Sequence, residues 1–237
     1  MDQLIAPVHS EWQEAVKRAL KRVDPFYLAL LQSSPTWIPR PQHLLAAFSL
    51  PLTATKYILL GESPYPRVES ANGYAFWDNA VGTLWSEKGF SKSVNRATSL
   101  RNLLKMFLVA RGSLRENCSQ EAISKLDKSM FIQTATGLFA RLMSSGFLLL
   151  NASLVYSDGQ VQYHARHWLP FIQSIFQWLA HEKPSVELVL LGKIAAKVPK
   201  TGLSIGLQAE HPYNLSFITN PQVIQFFKPM DILKHYE

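Results

Sequence analysis

Cysteine is nearly missing from this chain. Cys118 is the only one in 237 residues, so no disulfide can close within the chain and no cysteine-built zinc site can form. Its expected state is a free thiol near a helix end. Long apolar runs are missing too. No stretch of about 18 apolar residues exists, which leaves no candidate membrane-spanning helix. The opening residues, MDQLIAPVHSEWQEAV, lack a charged region followed by an apolar core, so no signal peptide is expected. A reducing, cytoplasmic location follows as the expectation. Charge is scarce: 17% of residues are charged against about 25% in ordinary globular chains, which excludes a disordered polyelectrolyte. Repeats, low-complexity tracts and linkers are also missing, so residues 1–237 are expected to form one domain.

What the chain has is apolar and basic. Hydrophobic residues make up 47%, enough for a sizeable core. Lys and Arg number 24 against 17 Asp and Glu, a net charge of +7. On a compact domain such an excess is the electrostatic footprint of a nucleic-acid binder, although many basic proteins bind none.

Apolar spacing predicts a helix from Ser10 to Val23, with Ser10 and Gln13 as a capping box and Trp12, Val16, Ala19, Leu20 and Val23 on one face. Pro25 is expected to end it. A second helical stretch, Arg40 to Phe48, stops before Pro51. Four short apolar runs follow, each ending in polar or turn residues: Lys56 to Leu60, Phe147 to Leu150, Glu187 to Leu191 and Leu207 to Glu210. Helical patterns separate them, including Leu138 to Met143 and a face of Leu169, Ile172, Ile175, Phe176 and Leu179. Strands alternating with helices imply an α/β fold with a parallel sheet covered on both faces.

Ligands in such sheets bind beyond the carboxyl ends of the strands. Three of the four ends carry unusual polar chemistry: Gly61-Glu62-Ser63-Pro64-Tyr65, Asn151 and His211. Far apart in sequence, they are gathered at one rim by a parallel sheet. Each has an ordinary reading as well. The Gly61–Pro64 turn either links strand to loop or points backbone N–H groups at an anion or a water. Tyr65 and Phe76 are core aromatics or the walls of a flat pocket. Asn151 pairs with nearby backbone or reads the edge of a nucleobase, since a carboxamide offers a donor beside an acceptor. His211 is structural or stabilises charge developing on a leaving group. Leu215 is a core anchor or a wedge for a base stack.

Taken together, these segments resemble the uracil-DNA glycosylase superfamily. Gly61-Glu62-Ser63-Pro64-Tyr65-Pro66 matches the family's G-Q-D-P-Y-H, and Gly73-Tyr74-Ala75-Phe76 its G-L-A-F. Ala97-Thr98-Ser99-Leu100-Arg101-Asn102 matches P-P-S-L-x-N in part, and Leu148-Leu149-Leu150-Asn151-Ala152 matches L-L-L-N-T. His164 to Trp168 echoes H-x-x-x-G-W one residue shorter, and His211-Pro212-Tyr213-Asn214-Leu215-Ser216 matches H-P-S-P-L-S. The matches run in order over nearly the whole chain.

The resemblance implies a three-layer α/β/α sandwich around a four-stranded parallel sheet. It implies an enzyme that flips a base from duplex or single-stranded DNA and hydrolyses its bond to deoxyribose, leaving an abasic site. It also implies no metal or cofactor, no membrane, a monomer, and a bacterial or viral setting. Carried over by position, Phe76 stacks on the flipped base, Asn151 reads its edge, Tyr65 crowds its 5-position and His211 donates to its oxygen. Leu215 fills the gap in the stack. Ser99, Ser216 and their neighbours Arg101, Tyr213 and Asn214 meet the DNA, with Arg67, Lys88, Lys92, Arg96 and Arg166 as further candidates near phosphates.

This chain departs from the pattern at one chemically important place. Ser63 stands where the family has the Asp that orients water and stabilises the sugar cation. Glu62, Ser63 or Asp78 is left to take that part. Pro66, Ala97-Thr98 and Tyr213-Asn214 also differ, all on DNA-facing loops. Trp77-Asp78 pairs an indole with a carboxylate, which suits either sugar binding or an ordinary surface pair. These departures direct the expectation to a modified base, such as a modified or glucosylated cytosine of phage DNA attacked in antiviral defence. Tyr65 argues against a bulky 5-substituent. Plain uracil excision and a catalytically weakened DNA-binding protein are the alternatives.

Overall fold

The computed structural model describes residues 7–33, 36–115 and 117–235. Residues 1–6, which open the segment inspected for a signal peptide, lie outside them. The apolar runs form β1 (Tyr57–Gly61), β4 (Phe147–Asn151), β5 (Glu187–Leu191) and β6 (Ser204–Ala209). They make one sheet in the order β4-β1-β5-β6, every neighbouring pair parallel. A small antiparallel hairpin, β2 (Trp85–Ser86) and β3 (Gly89–Phe90), stands apart from it.

Side chains alternate across a strand, and here both faces are apolar because both are covered. Ile58, Leu60, Leu148, Leu150, Leu188 and Leu190 point into one core. There they meet α1 (Gln13–Leu20), α2 (Pro25–Ser33) and α7 (Val161–Glu182). Leu59, Phe147, Leu149, Val189, Leu191 and Leu207 point into the other. That core is closed by α4 (Thr98–Ala110), α6 (Ala135–Ser144) and α8 (Pro221–Phe227), with the short α3 (Lys92–Arg96) and α5 (Gln120–Ser124) at its margin. Each fully buried leucine contributes about 1.5–3 kcal/mol. The result is the α/β/α sandwich with a four-stranded parallel sheet that the motifs implied.

Several boundaries differ from expectation. The first helix starts as a 3-10 turn, Ser10–Trp12, and its α part ends at Leu20. Ser10 is no cap: His9 precedes the turn, and its Nδ1 accepts from the Glu11 N–H. Pro25 opens α2 instead of merely ending α1, because proline suits the first helical position and Asp24 caps it, Oδ1 accepting from the Phe26 N–H at 2.9 Å. Arg40 to Phe48 holds two 3-10 turns, Pro41–His43 and Ala46–Ser49, and no α-helix. β6 starts at Ser204, before the apolar run, and ends at Ala209. Leu169 leaves the buried face of α7, being 38% exposed. No described helix is long and apolar enough to cross a membrane.

Candidate active site

The parallel register sets Gly61 directly beside Asn151 at the sheet's carboxyl edge. A Cβ on Gly61 would fall 2.3 Å from Asn151 Oδ1 and 2.9 Å from the Ala75 Cβ. Glycine is therefore what lets the carboxamide lie across the end of β1. Pairing continues past the strands, with the Ala152 N–H donating to Gly61 O (2.8 Å) and the Ser153 N–H to Glu62 O (3.0 Å). Asn151 is 3% exposed. Its carboxamide forms no hydrogen bond with any described residue, so the backbone-pairing alternative is not what the structure shows. It faces a cavity of about 250 Å³ instead.

The segment Gly61 to Pro66 forms one wall of that cavity. Phe76, Ser99 and His211 complete it together with Asn151. The three strand ends thus converge, as the parallel sheet implied, and Phe76 and Ser99 join them. Phe76 sits at φ 63°, in the left-handed region that non-glycine residues rarely enter. The Ala75 N–H donates to Leu149 O at 3.0 Å and fixes this turn to β4. The Phe76 ring lies nearly parallel to the His211 imidazole, with centroids 5.9 Å apart and planes at 28°. The Tyr65 hydroxyl donates to Phe76 O at 3.2 Å. Burial holds that phenol well above its usual pKa, so it stays neutral.

His211 Nδ1 accepts the Tyr213 N–H at 3.1 Å. An accepting Nδ1 places the proton of the neutral ring on Nε2. Burial lowers the imidazole pKa, opposed in part by the Glu62 charge. The site therefore holds a neutral imidazole with one N–H to donate. Gly192, after β5, packs against this histidine: a Cβ there would meet the His211 Cβ at 2.7 Å, and its φ of 85° suits glycine alone.

The carboxylates separate cleanly. Glu62 is the only acid lining the cavity among the described residues. It is about half exposed and forms an ion pair with Lys197. Asp78 does not line the cavity, which removes it as the substitute for the motif Asp. It is 4% exposed, its Oδ2 lies 3.2 Å from Arg67 Nη2, and its Oδ1 accepts from the Ala80 N–H at 3.0 Å. Arg67 is engaged there too. Trp77 is buried and stacks on Phe139 at 5.1 Å, so Trp77-Asp78 is neither a sugar platform nor a surface pair.

Leu215, Ser216, Tyr213 and Asn214 lie outside the cavity, on the exposed stretch that follows His211. Leu215 is 72% exposed, which excludes the core-anchor reading. Arg101 lies two residues along α4 from Ser99, its Nη1 donating to Asn95 O at 2.6 Å. Arg166 lines a separate apolar cavity of about 190 Å³ that shares Glu62. His164 does not join the site: it is buried between α2 and α7, with Nδ1 2.7 Å from the Tyr27 hydroxyl. Cys118 lies just before α5, partly buried, with burial raising its pKa. No three metal-ligating side chains cluster among the described residues.

Three contributors carried no assigned role in the sequence. Gly192 and Lys197 sit in a segment without a motif. Asn102 closes the segment matched at 97–102, and its fully buried Nδ2 donates to Pro212 O (2.7 Å) and Tyr213 O (3.4 Å). An asparagine on the otherwise apolar buried face of this helix was the available signal.

No family model matches the chain. A crystal structure of wild-type UNG from Nitratifractor salsuginis is 40% identical, with a TM-score of 0.93 over 99% of this chain and 97% of the other. The uracil-DNA glycosylase of Helicobacter pylori strain Shi470 is 29% identical over 222 residues, 89% of this chain and 85% of that protein. The uracil-DNA glycosylase of Corynebacterium glutamicum is 24% identical over 220 residues, 89% of this chain and 82% of that protein. A mimivirus uracil-DNA glycosylase structure, 19% identical with a TM-score of 0.57 over 88% of this chain and 71% of the other, shares the fold.

Proposed function

Because the chain belongs to the uracil-DNA glycosylase superfamily, we propose that it flips uracil out of DNA and hydrolyses its N-glycosidic bond, leaving the strand uncut at an abasic site. The observation that carries the proposal is the convergence of Asn151, Phe76, Tyr65 and His211 on one cavity at the sheet's carboxyl edge. The relatives' names favour uracil over the modified cytosine that the loop departures suggested. Tyr65 favours it too. Its hydroxyl is tied to Phe76 O, so its ring is held in the wall and leaves little room for a 5-substituent.

In this reading Phe76 stacks on the extruded base and the Asn151 carboxamide hydrogen-bonds its edge. As the C1′–N1 bond breaks, its electron pair leaves with the base and negative charge grows on the base oxygen. The His211 Nε2–H donates to that oxygen. A neutral donor already held in place needs no reorganisation at the moment of reaction, the condition under which such stabilisation is largest. Water adds to C1′, and the proton it gives up passes through solvent to the departed base anion, so that the neutral base and a C1′ hydroxyl result. Glu62 supplies the negative charge facing the sugar cation, in place of the family's Asp. Ser63 adds a hydroxyl to the same wall but no charge. Ser99 and Ser216 hold the flanking phosphates, Leu215 enters the vacated stack, and the net charge of +7 draws in the DNA backbone.

An alkali-cleavage panel tests this. Oligonucleotides carrying uracil, a thymine mismatch, hydroxymethylcytosine or its glucosylated form are incubated with the protein and then treated with alkali. Cleavage at uracil alone is expected. No cleavage at uracil would overturn the proposal, and cleavage confined to a modified cytosine would return the reading to a modified base.

A further inference from the structure

We infer that Tyr213 is a second stacking surface, engaging the nucleobase next to the extruded nucleotide on the same strand. The inference rests on the reading that this cavity takes a base flipped from DNA, and it deepens that reading.

Tyr213 is 67% exposed, among the largest apolar surfaces the described residues leave uncovered. Among the described residues its ring joins no aromatic pair and its hydroxyl makes no hydrogen bond. A tyrosine serving the core would be covered, or at least tied by its phenol. Its backbone, by contrast, is firmly held. The Tyr213 N–H donates to His211 Nδ1 at 3.1 Å. The Asn214 N–H donates to His211 O at 2.9 Å. Asn102, fully buried in α4, reaches across to Pro212 O and Tyr213 O. Past the loop, Asn220 Nδ2 donates to Glu210 Oε2 at 2.8 Å and pins its two ends together. An exposed aromatic ring thus stands on a fixed pedestal, and a preformed surface loses little freedom on binding.

Position selects the occupant. Tyr213 lies two residues after His211, which lines the base cavity, and two before Leu215, which is 72% exposed. Leu215 has a role only where a flipped base leaves a gap between stacked neighbours. A tyrosine ring needs no gap. Any unpaired base offers it a π-face, and stacking of this kind is worth about 1–3 kcal/mol per base whatever the sequence. The two exposed side chains therefore divide the substrate between them. Leu215 serves the duplex, and Tyr213 serves the strand itself, including single-stranded DNA.

The experiment compares the parent with Tyr213→Ala, Tyr213→Phe and Leu215→Ala on single-stranded and duplex oligonucleotides bearing one uracil. KM and kcat are measured separately. In parallel, quenching of a 2-aminopurine on either side of a non-cleavable 2′-fluoro-deoxyuridine reports stacking directly. Tyr213→Ala is expected to raise KM on single-stranded DNA about 5- to 150-fold, the range set by the stacking energy, and to abolish quenching on one side. Tyr213→Phe, which keeps the ring and loses only the phenol, should restore both. Leu215→Ala should harm the duplex more than the single strand. Parent-like KM and quenching in Tyr213→Ala would overturn the inference, as would a Tyr213→Phe variant as impaired as Tyr213→Ala. If the parent released no uracil, the reading as a uracil enzyme would fail by itself. The quenching arm would still decide the stacking, because it needs no bond cleavage.

Discussion

The wall of the cavity and the loop beyond it follow opposite rules. Asn151 is 3% exposed, and its place is dictated by a glycine that cannot accept a Cβ without colliding with it. Tyr213 and Leu215 are about two-thirds or more exposed, and only their backbone is held. In the wall, packing and chemistry constrain the same atoms, so added bulk disturbs both. In the loop the scaffold is fixed while the side chains are free to differ. The chain's departures at Tyr213 and Asn214 fall where the structure tolerates them. Glu62, Ser63 and Pro66 are the exceptions, departures within the wall itself, and they set a carboxylate beside the serine.

The comparison can be broken at several points. The largest effect is expected from Asn151→Ala, which removes a preorganised hydrogen-bonding group facing the base. Single-turnover excision should fall about 10²–10³-fold while the thermal midpoint stays near the parent's. Gly61→Ala should approach the same loss although it removes no polar group, since its methyl would displace the Asn151 amide. A fully active Gly61→Ala would show that the wall is less constrained than its packing indicates.

A smaller effect is expected from Glu62→Gln, which keeps the shape and removes the charge. Opposite charges a few ångströms apart near a protein surface interact by up to about 4 kcal/mol. Partial exposure of Glu62 and its ion pair with Lys197 reduce that, so a loss of about 10- to 100-fold in kcat is the expected reading. An equal loss in Ser63→Ala, with Glu62→Gln unaffected, would transfer the role to the serine.

The pH profile is the gentlest probe. Burial lowers the His211 pKa from its ordinary value near about 6.5, and protonating Nδ1 would break its bond from the Tyr213 N–H. The active form is thus the neutral ring, and activity should be lost as pH falls through a midpoint below about 6.5. An acid limb centred above about 6.5 would contradict a neutral donor.

The sheet was legible because β1, β4 and β5 are continuous apolar runs covered on both faces. β5 matches its run at both ends, β1 is shifted by one residue and β4 runs one residue longer. β6 was misjudged at its start because Ser204 and Ile205 are exposed there, so no apolar pattern marks them, whereas the other edge strand, β4, is buried throughout. α2 was hidden because Phe26, Leu28 and Leu30 line its sides without a clear polar face, leaving Pro25 to read as a stop. The site was legible through its strand ends, and it missed what acts from a distance. Asp78 looked available until its pairing with Arg67 could be seen. Asn102, Gly192 and Lys197 have parts only because the fold carries them to His211 and Glu62.

The division between wall and loop is tested most directly by single-turnover excision of uracil from a duplex at saturating enzyme, comparing His211→Ala with Leu215→Ala. The account predicts that His211→Ala slows bond cleavage about 10²–10³-fold, whereas Leu215→Ala slows it about tenfold or less and weakens DNA binding instead. Equal losses of rate in the two variants, or a parent-like rate in His211→Ala, would contradict it.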